Sequence, residues 1–175
     1  MIVACQNNEG GWRYENVPKG ADISVTVCQI MALRAARNSG IFVPKDTVDR
    51  CVEYVRGCQN RDGGFRYRLK PRSSSQFARS AAGVVALYSA GVYDDPAITK
   101  GLQYLKTRVP RGFFEDHYWY GQYYAGQAMY QAGGDFWKTW YPASRDQLTR
   151  DQRPDGSWTD MTFSSDYATA MALVI

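Results

Sequence analysis

The chain has 175 residues, enough for one domain with a sizeable core and too few for two of ordinary size. Its 45% hydrophobic and 22% charged residues exclude a disordered chain, and no apolar run approaches the ~20 residues of a membrane span. The net charge of +4 is spread without a basic block, which argues against nucleic acid as partner, while 14% aromatic residues must either build the core or line a cavity.

From the N-terminus, Ile2 to Cys5 reads as the end of a helix, with no signal-peptide pattern around it. It runs into the loop Gln6-Asn7-Asn8-Glu9-Gly10-Gly11-Trp12. A helix rich in small residues is predicted from Ser24 to Arg37, with Gly40 just past its end. Pro44 opens a second helix, whose apolar stripe is Val48, Cys51, Val52, Val55 and Cys58. The loop pattern then returns as Gln59-Asn60-Arg61-Asp62-Gly63-Gly64-Phe65. Gln76 to Ala90 is a second small-residue helix, in which Ala78, Ala81, Ala82, Gly83 and Ala86 allow close backbone approach, and Gly91 follows it. Asp94 and Asp95 cap the next helix, opened by Pro96, where Ile98, Gly101, Leu102 and Leu105 repeat the earlier stripe and Tyr104 matches Tyr54. A shortened loop, Pro110-Arg111-Gly112-Phe113, precedes a third small-residue helix from Tyr118 to Ala132, ended by Gly133. After a third outer helix comes Gln152-Arg153-Pro154-Asp155-Gly156-Ser157-Trp158, and a fourth small-residue helix starts at Asp166.

The loop aromatics at 12, 65, 113 and 158 are spaced by 53, 48 and 45 residues, which marks an array of two-helix units. The fold class is all-α, with small-residue helices in a crowded inner layer and amphipathic helices outside. In each loop the glycine permits a sharp turn, the glutamine amide can bond free backbone groups at helix ends, and the aromatic ties one repeat to the next. These residues staple repeats. Cys5, Cys28, Cys51 and Cys58 form no Cys-x-x-Cys pair and read as small buried hydrophobes.

Gln-x-x-x-Gly-x-Trp resembles the repeat motif of the triterpene cyclases, and Asp62-Gly63-Gly64-Phe65 is similar to the repeat of protein prenyltransferase β-subunits. The segments Asp22 to Leu33 and Tyr167 to Leu173 look like inner helices of the same squalene-cyclase and prenyltransferase repeat superfamily. The resemblance implies an α/α toroid. A closed ring takes about six helix pairs, so residues 1–175 are expected to form a single domain of about four repeats. That domain would belong to a longer toroid or pair with another chain through open apolar edges.

The acid of the cyclases is an Asp-x-Asp-Asp-Thr-Ala motif opening an inner helix. Asp22-Ile23-Ser24-Val25-Thr26-Val27 keeps its first aspartate and threonine, and Ser165-Asp166-Tyr167-Ala168-Thr169-Ala170 keeps Thr-Ala, but neither has the paired acids that protonation of an alkene needs. The prenyltransferase zinc would need Asp, Cys and His. His117 is the sole histidine, and Asp49-Arg50-Cys51 sits on an outer helix where Cys51 completes the stripe, so no metal and no cofactor are expected. The catalytic candidates are therefore Asp22, Asp116, His117 and Asp166. Seven of the twelve residues from Phe113 to Tyr124 are aromatic, with Tyr120, Tyr123, Tyr124 and Gln127 on one helical face. Trp119, Tyr120, Tyr123, Tyr124 and Tyr167 are the ligand-binding candidates, suited by ring faces to an apolar or cationic guest. In a toroid the inner helices run parallel, so Asp22, Gln76, Asp116 and Asp166 would share one polar mouth.

The resulting expectation is a non-catalytic repeat domain that binds an isoprenoid-like molecule or a protein. Two other readings stay open. One is an isoprenoid cyclase or prenyltransferase whose acid or metal lies outside the segment. The other is an α/α-toroid carbohydrate enzyme using Glu115, Asp116 and Asp166 across a cleft.

Overall fold

The computed structural model describes residues 1–107 and 117–175. Among the described residues there are seven helices and no β-strand: α1 (Ile23–Asn38), α2 (Lys45–Gly57), α3 (Phe77–Ser89), α4 (Pro96–Thr107), α5 (Tyr118–Ala132), α6 (Gly134–Asp151) and α7 (Ser165–Ala172). Local chemistry sets their ends. The Asp22 carboxylate caps α1 by accepting from the Val25 N–H at 2.9 Å, and the Ser164 hydroxyl caps α7. Asp95 caps α4 through the Ala97 N–H at 2.7 Å, the role expected of the Asp94-Asp95 pair. Gly40, Gly91 and Gly133 take positive φ just beyond α1, α3 and α5. Ile2 to Cys5 differs from expectation: it holds a single 3-10 turn, Val3–Cys5. The loop Pro110 to Phe113 lies outside the described residues.

The helices form two rows. In one, α1, α3, α5 and α7 touch in succession; in the other, α2 packs on α1 and α3, α4 on α3 and α5, and α6 on α5 and α4. The division follows composition. Every residue of α3 except Arg79 and Ser89 is buried, because its alanines and Gly83 let neighbours close in from all sides. A Cβ on Gly83 would stand 2.7 Å from the Phe65 ring. Helix α2 instead buries one stripe, Thr47, Cys51, Val52, Tyr54 and Val55, and leaves Lys45 and Glu53 to solvent. One core runs from Trp12 to Trp140, and a smaller cluster of Tyr118, Trp119, Trp158 and Ala168 joins α7 to α5.

The loops connect the rows through a repeated set of bonds. Gln6 Nε2 donates to the Gly10 carbonyl and to the Thr47 carbonyl in the first turn of α2, both at 2.8 Å. Gln59 Nε2 does the same to Gly63 at 2.9 Å and to Ala97 in α4 at 2.8 Å. The glutamine thus holds its own turn against the outer helix of its repeat, rather than filling free groups at helix ends. Gln152 makes only the first bond, to Gly156 at 3.0 Å. The aromatic is fixed by a second clip that the sequence pattern does not announce. The backbone N–H groups of Trp12, Phe65 and Trp158 donate to the hydroxyls of Thr26, Ser80 and Thr169, at 3.1, 2.8 and 3.0 Å. Thr26 and Thr169, the threonines of the degenerate acid motifs, are therefore bonded within the scaffold.

The cysteines divide. Cys51 and Cys58 are buried as expected, and burial pushes both thiols up to about 12. Cys5 is half-buried, and Cys28 is exposed, contrary to expectation. Helix α1 buries Val27 and Ile30 toward its neighbours, which turns Cys28 outward to within 3.4 Å of the Tyr124 hydroxyl of α5.

Candidate ligand-binding cavity

A 490 Å³ cavity opens where α1, α3, α5 and α7 begin. Each lining residue lies in the first turn of one of these helices or in the loop before it. Ser24 comes from α1; Gln76, Ala78 and Arg79 from the start of α3; His117 and Tyr120 from α5; Tyr167 from α7. Phe163 precedes α7, and Tyr14 and Tyr67 come from the loops before α1 and α3. Four helix N-termini point toward one space, so their partial positive charges add there.

The lining is phenolic. Tyr120 donates to the Ser24 carbonyl at 3.2 Å and packs edge-on against Tyr124, with ring centroids 4.7 Å apart. Helix α5 thereby reaches α1 although α3 lies between them. Tyr167 packs on Phe163 at 4.9 Å. The hydroxyls of Tyr14 and Tyr67 lie 3.4 Å apart, and the guanidiniums of Arg68 and Arg79 stand over the Tyr67 ring at 5.0 and 5.8 Å. Burial pushes the Tyr120 and Tyr167 phenols above their ordinary range. Tyr67 is raised by burial, then by the hydrogen bond with Tyr14 and the Asp22 charge. These phenols keep their protons, so they serve as hydrogen-bonding and packing groups, not as bases.

Asp22 lies behind this wall, 0% exposed. Its Oδ1 caps α1, while Oδ2 has no hydrogen-bond partner and stands 4.0 Å from Arg13 Nε. Among the described residues it is the one buried carboxylate. Asp166 is exposed in the first turn of α7 and does not line the cavity. Asp116 and Glu115 lie outside the described residues. His117 lines the cavity as the residue before α5, with left-handed φ of 57°. Among the described residues no three metal-ligating side chains come together, and Asp49 pairs with Lys45 on the surface of α2.

The remaining aromatic candidates separate. Tyr120 and Tyr167 line the cavity; Tyr124 turns toward Cys28, and Tyr123 packs edge-on against Tyr124 outside it. Trp119 is 1% exposed and belongs to the α5–α7 core, its indole donating to the Thr159 carbonyl at 3.2 Å. Sequence reasoning missed Tyr14, Tyr67 and Arg79 as cavity-lining residues, whereas Gln76 was expected at the polar mouth. A signal was present for the first two: Trp12-Arg13-Tyr14 and Phe65-Arg66-Tyr67 extend the repeat by Arg-Tyr, and these equivalent tyrosines meet in the wall. Neither a scan of protein-family models nor a search of curated proteins finds a match to this chain.

Proposed function

We propose that this chain is a repeat domain of the squalene-cyclase and prenyltransferase kind, its helix pairs arranged as part of an α/α toroid, and that the cavity binds an isoprenoid-like apolar molecule without converting it. The observation that carries the reading is the aromatic wall, from Tyr14, Tyr67, Tyr120, Phe163 and Tyr167, at the shared end of four helices. Ring faces hold a flexible hydrocarbon by area and polarisability, at about 25 cal/mol per Å² buried. Protonating an alkene needs a strong acid supported by a second acid, whereas Asp22 is committed to capping α1 and has no buried carboxylate beside it among the described residues.

The test pairs binding with turnover. In equilibrium dialysis, labelled farnesene is expected to bind saturably at one site. Tyr167→Ala removes roughly 60 Å² of ring contact, about 1.5 kcal/mol, and should weaken binding about tenfold. Squalene and farnesyl diphosphate incubated with the same protein should be recovered unchanged by mass spectrometry of the extracted lipids. Absence of farnesene binding would refute the cavity reading, and a cyclised or transferred product would refute the non-catalytic one.

A further inference from the structure

The cavity wall is not uniformly apolar, and its polar part is built. Tyr14 and Tyr67 occupy equivalent places in two successive repeats, 53 residues apart, yet their hydroxyls meet at 3.4 Å on the cavity surface. Behind them Asp22 is wholly buried, its Oδ2 without a hydrogen bond and 4.0 Å from Arg13 Nε, and its charge acts on the Tyr67 phenol. A purely hydrocarbon guest would cover the paired hydroxyls and leave them only their long 3.4 Å contact with each other in place of water, at a cost in hydrogen bonding. A cationic guest would meet Arg79 and the positive ends of the helices, and the Tyr67 face is already occupied by Arg68 and Arg79. A diphosphate would need several converging cations or a metal. Among the described lining residues Arg79 is the single arginine or lysine, and its guanidinium already bonds Gln76 and Ser73.

A neutral hydroxyl satisfies every part of this arrangement. The Asp22 charge favours a Tyr67 proton turned inward, which leaves the phenol oxygen as an acceptor, for Tyr14 at 3.4 Å or for a guest hydroxyl that replaces that long contact. Tyr14 can donate to the guest oxygen in turn. Resting on the proposed isoprenoid reading of the cavity, we infer that the Tyr14–Tyr67 pair, set against Asp22, is a recognition point for a single hydroxyl group, so the ligand class is an isoprenoid alcohol and not a hydrocarbon or a diphosphate.

Equilibrium dialysis of the full chain with labelled farnesol, farnesene and farnesyl diphosphate tests this. Farnesol is expected to bind about fivefold more tightly than farnesene, the effect of one ordinary hydrogen bond, and more tightly than the diphosphate. Tyr67→Phe should lower farnesol to the farnesene level and leave farnesene unchanged, since it keeps the ring. Tyr14 is 72% exposed, so Tyr14→Phe folds in any case; it should weaken farnesol about threefold with no effect on farnesene. Equal binding of farnesol and farnesene, or tightest binding of the diphosphate, would overturn hydroxyl recognition while leaving the apolar cavity standing. So would farnesol binding that neither tyrosine substitution alters. Failure of all three to bind would overturn the cavity reading and this inference with it.

Discussion

The bridging glutamines offer an internal comparison, because three copies of one residue make different numbers of bonds. Gln59 uses both amide protons, on Gly63 within its loop and on Ala97 in α4. Gln152 uses one, on Gly156, in an exposed loop. Truncating Gln59 to alanine deletes two half-buried hydrogen bonds worth about 1 kcal/mol each and some stem packing, so Gln59→Ala should cost about 2–3 kcal/mol. Gln152→Ala deletes one exposed bond and should cost about 0.5 kcal/mol. For a chain of this size each kcal/mol moves Tm by roughly 2–4 °C. Urea unfolding followed by tryptophan fluorescence and circular dichroism together reads both variants. Gln59→Glu sharpens the comparison, since the new carboxylate faces two carbonyl oxygens and has no proton to give them. Its folded-state pKa must rise above the ordinary ~4.3. The variant's deficit should therefore be smallest below that value, grow as pH rises toward the folded pKa, and stay constant above it. If Gln152→Ala costs as much as Gln59→Ala, or if Gln59→Glu is no worse than Gln59→Ala at pH 7, the bonds are not what the glutamine contributes.

Glycine substitutions separate backbone strain from collision. Gly40 and Gly63 both have positive φ, but a Cβ at Gly40 meets open space, whereas at Gly63 it would lie 2.5 Å from the Lys100 carbonyl oxygen. Gly40→Ala should cost about 1 kcal/mol and Gly63→Ala about 3 kcal/mol or more in urea unfolding. At the start of α1, Asp22→Ala should lose about 1–2 kcal/mol with the cap, while Asp22→Asn, which keeps an acceptor for Val25, should stay within about 0.5 kcal/mol of the parent by thermal melting. A thiol reagent at pH 8 should modify exposed Cys28 rapidly, and buried Cys51 and Cys58, held protonated at that pH, only at the rate of unfolding; mass mapping of early product decides it.

Much of the fold was legible from the amino-acid order. The four small-residue helices, the glycine stops of the first three and the Pro44 and Pro96 starts depend on residues adjacent in the chain, and the loop repeat spaces them. Tyr120, Tyr167 and His117 were legible as residues at helix starts for the same reason, and those starts line the cavity. What tertiary structure alone decided is which side chains share a space. Trp119 and Tyr120 are neighbours in one aromatic run, yet the turn of the helix between them sends the first into the α5–α7 core and the second into the cavity. In sequence Thr26 is the threonine of a degenerate acid motif and Ser80 an ordinary helix residue; only the fold brings the Trp12 and Phe65 backbones to rest on their hydroxyls. Tyr14 and Tyr67, one loop repeat apart, meet only because α1 and α3 pack side by side and bring the loops before them to the same end. Periodicity specifies the unit, but packing between units sets the distances on which recognition depends.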